Sequence, residues 1–164
     1  MTTKDLLRIY LRDHHAAEVA GCELAKRTAR ANSGTPFGTL LASIEAEFAA
    51  DLRSIERIMG DLGIAPAKGK DAAAWTAEKV GRLKLIGSVT KYSPLSRVIE
   101  FEGLTLVLNG RDALLSTLSQ LEDDRLDATE LDRLSTRVAD QRRRIDEARR
   151  EAISIAFGSE VSTT

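Results

Sequence analysis

The sequence predicts an all-α protein made of four long helices. Three observations carry that reading. The three prolines, Pro36, Pro66 and Pro94, are separated by long stretches with no breaker of comparable strength. Apolar residues recur within those stretches at helical rather than alternating spacing. Aromatic residues make up only 4% of the chain, so the core must be built of Leu, Ile, Val and Ala, which suits closely packed helices.

The elements follow in order. Thr3 is the expected N-cap of a first helix over 4–31, which the run Asn32-Ser33-Gly34-Thr35-Pro36 ends. A second helix is expected over 37–62, stopped by Gly63 and Pro66. A shorter amphipathic piece over 71–87 carries Trp75, Val80, Leu83 and Ile86 near one side. The next long helix spans 93–121, with Ser93 as N-cap and Pro94 in the first helical position, where its missing N–H costs nothing. The last spans 128–157, capped by Asp127 and stopped by Gly158. Each long helix would extend roughly 40 Å. The first and third links are short, so they join antiparallel neighbours, whereas the middle link runs from about Gly63 to Tyr92. Two hairpins joined by one long crossover is ferritin-like connectivity.

Composition narrows the function classes. The chain has 164 residues, enough for one domain with a real core, and a net charge of -1, which is not the footprint of a general nucleic-acid binder. The basic run Arg142 to Arg144, with Arg149 and Arg150, is interleaved with Asp140, Asp146, Glu147 and Glu151 and reads as a solvated helix face. Cys22 is the single cysteine, so no internal disulfide forms. No leader-like start and no long apolar run is present, and a cytoplasmic protein without membrane contact is expected.

The helical stripes predict which residues face inward. The first helix presents Leu6, Tyr10, Asp13, His14, Ala17, Gly21, Leu24 and Thr28 in one arc. The second presents Leu41, Ile44, Glu47, Phe48, Asp51, Ile55 and Met59, and the last Leu131, Leu134, Val138, Gln141, Ile145, Ala148, Ala152 and Ile155. Helix 93–121 is apolar on two sides. One stripe is Leu95, Val98, Glu102, Leu106, Asn109 and Ala113; the other, Leu104 to Leu118, is broken by Glu100 and Arg111. A two-sided helix must be covered twice, which points to a homodimer or to cover by the crossover.

Polar residues interrupt the inward stripes near their middles, and buried carboxylates need a donor, a cation or a metal. One reading is a metal site holding iron or manganese through Asp13, His14, Glu47, Asp51 and Glu102. The other is a metal-free buried network, in which Arg111 or Arg144 neutralises the remaining charge. Di-iron bundles use paired Glu-x-x-His motifs. Here His14 and His15 are the only histidines, and both lie on the first helix, with His15 expected at the surface. The network, without a cofactor, is therefore the favoured reading.

The stretch Tyr10-Leu11-Arg12-Asp13-His14-His15, with Gly21 and Leu24, resembles an uncharacterised bacterial family of ferritin-like proteins. So do Trp75 to Lys84 and Tyr92-Ser93-Pro94-Leu95-Ser96-Arg97, followed by Glu100 and Glu102. The resemblance implies the ferritin-like bundle and a bacterial, cytoplasmic setting, and it implies no activity. Three functions stay open: a non-enzymatic structural or interaction protein, a metal-binding protein or oxidase, and a small-molecule binder whose pocket lies among Ala17, Gly21 and Ala113.

Overall fold

A computed structural model describes residues 2–67 and 92–158. Among these residues the chain is all-α, with four helices and no strand: α1 (Thr3–Ala31), α2 (Gly38–Asp61), α3 (Pro94–Ser119) and α4 (Ala128–Phe157). The amphipathic piece expected at 71–87 lies outside the described residues. No helix among the described residues is long and apolar enough to cross a membrane.

The helix ends are set by local chemistry. The α1 cap is Thr2, one residue before the expected Thr3. Its hydroxyl accepts from the Asp5 N–H at 3.2 Å, and the Asp5 carboxylate accepts from the Thr2 N–H at 3.0 Å. An acid three residues after Thr2 closes this capping box, whereas three residues after Thr3 stands Leu6. Helix α2 ends in a Schellman motif. Gly63 takes φ +69°, which glycine adopts without strain, and the Ile64 N–H reaches back to the Met59 carbonyl at 2.8 Å. Ser93 and Ser96 cap α3 reciprocally, with Pro94 in its first turn, and the Asp127 carboxylate accepts from the Thr129 and Glu130 N–H groups at the start of α4.

Contacts along the helices give their directions. As α1 runs from Tyr10 through Glu18 to Asn32, its partners on α3 run backwards from Thr117 through Arg111 to Arg97, so the two are antiparallel. On α2, Glu47 meets Arg144 and Arg57 meets Glu130, so α2 and α4 are also antiparallel. The hairpins α1–α2 and α3–α4 supply the other two seams. Leu41, Ile44, Phe48, Ile55, Leu104, Leu108, Leu115, Leu134, Val138 and Ile145 fill the centre.

The inward faces of α2 and α4 lie where the stripes predict, apart from Ile155, which is half-exposed near the end of α4. Two faces differ. On α3 the buried stripe is Leu104, Leu108, Arg111, Leu115 and Leu118; Leu95, Glu102, Leu106, Asn109 and Ala113 face outward. On α1 the buried residues include Leu11, Glu18, Ala25 and Ala29, while Leu6 and Asp13 are exposed. Helix α1 packs on both α2 and α3, so its buried arc is wider than one stripe and is centred between two partners. Its alanines at 16, 17 and 20 fit either side.

The α1–α3 seam is tight where Gly21 lies against Val107. A Cβ on Gly21 would fall 2.5 Å from one Val107 methyl and 3.1 Å from the other. Overpacking costs about 1–3 kcal/mol, which offsets the roughly 1 kcal/mol that alanine gains over glycine within a helix. Chemical denaturation is expected to show Gly21→Ala less stable than wild type, and Val107→Ala less damaging in the Gly21→Ala background than alone. Strictly additive effects would mean that the two positions do not touch.

Candidate functional site

The centre of the core holds a guanidinium. Arg111 is 1% exposed and lies about two thirds of the way along α3 in the line Leu104, Leu108, Leu115, Leu118. A charge in such a stripe is carried inward by its neighbours, and it must find partners there. Its Nε donates to both Glu18 oxygens at 3.1 and 3.0 Å, and its Nη2 donates to Glu18 Oε2 at 2.6 Å. Its Nη1 donates to Asp51 Oδ2 at 2.8 Å and to Gln141 Oε1 at 3.2 Å. The guanidinium also lies over the Phe48 ring, 4.4 Å from its centroid. One side chain thereby joins all four helices.

A second layer completes the charge balance. Arg137 donates to Asp51 Oδ1 at 2.7 Å, and the Gln141 amide donates to Asp51 Oδ2 at 2.8 Å and to Glu47 Oε2 at 3.2 Å. Arg144 grips Glu47 through both terminal nitrogens, at 3.0 and 2.5 Å. Three carboxylates, Glu18, Asp51 and Glu47, thus face three guanidiniums, Arg111, Arg137 and Arg144. Gln141 links the two layers because an amide both donates and accepts.

Titration behaviour follows from burial. Desolvation pushes the Glu18 carboxyl above its ordinary value of 4.5; Arg111 opposes this without cancelling it, and the nearby Asp51 charge adds to it. At Glu47 burial also raises the value, but the Arg144, Ser43 and Gln141 hydrogen bonds together outweigh it, and the net shift is downward. Burial works against the Arg111 cation, yet Glu18 and Asp51 hold it above the ordinary arginine range. Beside them the half-buried Cys22 thiol is pushed up to about 11, by desolvation first and by the Glu18 charge second, so it remains a thiol rather than a nucleophilic thiolate.

The candidate metal ligands are not brought together. Glu47 and Asp51 share Gln141, as their spacing on α2 implies. Asp13 is exposed, and His14 packs on Tyr10 at 4.5 Å between ring centroids, its value lowered by desolvation against the pull of Asp13. Glu102 is 53% exposed and faces Arg149 at 3.9 Å. Among the described residues no group of three or more His, Cys, Asp or Glu side chains is placed to hold a metal ion. His15, expected at the surface, is largely covered and meets Glu56 at 3.0 Å, tying α1 to α2. The helical arcs missed Arg137, and at the centre they missed Glu18. The signal for Glu18 was the seven-residue spacing Leu11, Glu18, Ala25, which places it among buried positions. No family model, curated protein or solved structure matches the chain.

Removing one partner of a buried ion pair costs about 3–5 kcal/mol, because the other charge is left uncompensated. Arg111→Ala is expected to destabilise by that amount in urea unfolding. The triple variant Arg111→Met, Glu18→Gln, Asp51→Asn should recover most of the loss, since it strands no central charge. A triple variant as unstable as the single one would contradict this account.

The two glutamates give opposite pH slopes. The folded-state value of Glu18 is raised, so its contribution is fully present below 4.5 and is lost as pH rises through the raised value. That of Glu47 is lowered, so its contribution is present above 4.5 and is lost as pH falls through the lowered value. On acidification, wild type should gain stability relative to Glu18→Gln and lose it relative to Glu47→Gln. Parallel stability curves for all three proteins would count against these assignments.

Proposed function

We propose that the chain is a ferritin-like helical bundle acting as a non-enzymatic structural or interaction protein, whose buried charges lock the register of the helices. The observation that carries this reading is the saturation of the central carboxylates by side chains of the chain itself. Asp51 has both oxygens engaged, by Arg137, Arg111 and Gln141, and Glu18 accepts three times from Arg111. The place that a bundle metal centre gives to a cation is filled here by a guanidinium. The exposure of Asp13 and Glu102, and the engagement of both Asp51 oxygens, favour this reading over an iron or manganese centre at Asp13, His14, Glu47, Asp51 and Glu102.

The connectivity supports the ferritin-like part of the reading. Helix α1 is antiparallel both to α2 and to α3, so α2 and α3 run parallel, the relative direction expected of two hairpins joined by a crossover. The outward stripe of α3, with Leu95 and Leu106 exposed by 42% and 63%, supports association of two copies through that face.

Protein purified without a metal-affinity tag tests the reading in one sample. Elemental analysis is expected to find no stoichiometric iron or manganese, thermal melts should be unchanged by EDTA, Fe(II) or Mn(II), and light scattering should give the mass of a dimer. One or two metals per chain, lost together with stability on chelation, would overturn the non-enzymatic reading. A monomer would remove the proposed dimer.

A further inference from the structure

The four seams between neighbouring helices are not equal. Helices α2 and α4 approach each other at few points, and between them runs an open groove of about 610 Å³. Four arginines line it, Arg53 and Arg57 from α2 and Arg133 and Arg137 from α4, with Ser54 between them. Each pair is spaced i,i+4, so its members share a helix face roughly 6 Å apart along the axis. Like charges at this spacing repel. Here two such pairs face one another across the same gap.

The acids nearby do not balance them. Glu56 is the one carboxylate of the described lining, a single negative charge against four guanidiniums. Asp51 holds Arg137, but it also serves Arg111. Glu130, just beyond, takes Arg133 through both its oxygens at 2.7 Å and meets Arg57 at 3.4 Å. Arg53 pairs with no carboxylate among the described residues. The other basic run of α4 differs, because Arg143, Arg149 and Arg150 find Asp140, Glu147 and Asp146 within their own helix. The groove guanidiniums are also held in place, Arg137 by buried Asp51 at 2.7 Å and Arg57 by the Ser54 hydroxyl at 2.8 Å.

We propose that the α2–α4 groove binds a small ligand bearing two or more linked phosphate groups. Planar guanidinium forks match phosphate oxygens two at a time, and four of them line this one groove. The groove volume is in the range of small-molecule sites. The groove gathers four guanidiniums on a chain of net charge -1, a short cluster that fits a compact polyanion better than an extended nucleic-acid backbone.

Isothermal titration of the full chain at physiological ionic strength, with tripolyphosphate, pyrophosphate, orthophosphate and citrate, tests the proposal. Tripolyphosphate is expected to bind one per chain and more tightly than orthophosphate or citrate. Arg53→Ala with Arg133→Ala should weaken it by about tenfold or more, the loss of one or two charge-assisted contacts. The charge-matched pair Arg142→Ala with Arg143→Ala should stay within about twofold of wild type. Arg53→Ala alone removes no partner contact, so it keeps the test valid if the double variant melts early, and it too should bind more weakly. Absence of binding by either oligophosphate overturns the proposal. Equal weakening by the two double variants would reduce it to general charge attraction, and citrate binding as tightly as tripolyphosphate would refute the phosphate preference.

Discussion

The burial of the Arg111 guanidinium is the constraint on which the other polar contacts of the core depend. A cation at 1% exposure cannot be left alone in a stripe of leucines, and it cannot shed its proton as a lysine would. Its donors fan outward in a plane, so acceptors must arrive from more than one direction. Glu18 of α1, Asp51 of α2 and Gln141 of α4 meet that demand at distances of 2.6 to 3.2 Å. An apolar core would be nearly indifferent to sliding one helix by a turn, because one leucine replaces another. The guanidinium is not indifferent, since a slip strands two carboxylates. Its contribution is thus to register more than to net stability, because the desolvation of the ions offsets much of their attraction.

The same network accounts for the unequal seams. Between α1 and α3 the contact is a glycine against a valine, and the backbones come close at Gly21. Between α2 and α4 the contacts are long side chains, Arg137 to Asp51 and Arg144 to Glu47. Arginine and carboxylate end to end fill more space than two apolar side chains, so these helices stand apart. The groove is the outer continuation of that gap, and it is lined by arginines because the helix faces that supply Arg137 to Asp51 also carry Arg133, Arg53 and Arg57 outward.

Much of this was legible in the sequence, for identifiable reasons. The ends of the helices were readable because Gly63, Ser93, Pro94 and Asp127 act through backbone chemistry that depends little on what packs nearby. The faces of α2 and α4 were readable because each carries one dense stripe, with Asp51 and Gln141 inside it. Helix α3 was ambiguous because it is apolar on two sides, and its buried side is the one that holds the charge. Arg111 looked like an interruption of a stripe and was in fact its centre. Helix α1 misled in a different way. Its alanines fit any face, its arc serves two neighbours, and the carboxylate that mattered was Glu18 rather than Asp13. The wide spacing between Glu18 and Arg111 along the chain hid their pairing, which appears only once the helices are set antiparallel.

Acid-rich stripes in a helical core do not by themselves distinguish a metal centre from an ion-pair network, because both begin with carboxylates that need a cation. The distinction lies in whether the cation is tethered. A metal ion keeps exchangeable positions at which water or substrate can enter, whereas a guanidinium has only N–H donors, and here at least four are directed at Glu18, Asp51 and Gln141. It accepts no electrons and offers no vacant site, and its charge is held by Glu18 and Asp51. Burial raises the proton affinity of the Glu18 carboxyl, and its oxygens are enclosed with it. Exchangeable charge is found instead at the surface between α2 and α4, where Arg53 has no carboxylate partner among the described residues and Arg57 and Arg133 share Glu130. A buried cation that fixes the helices, and a row of accessible ones that the resulting gap exposes, are therefore consequences of one packing solution.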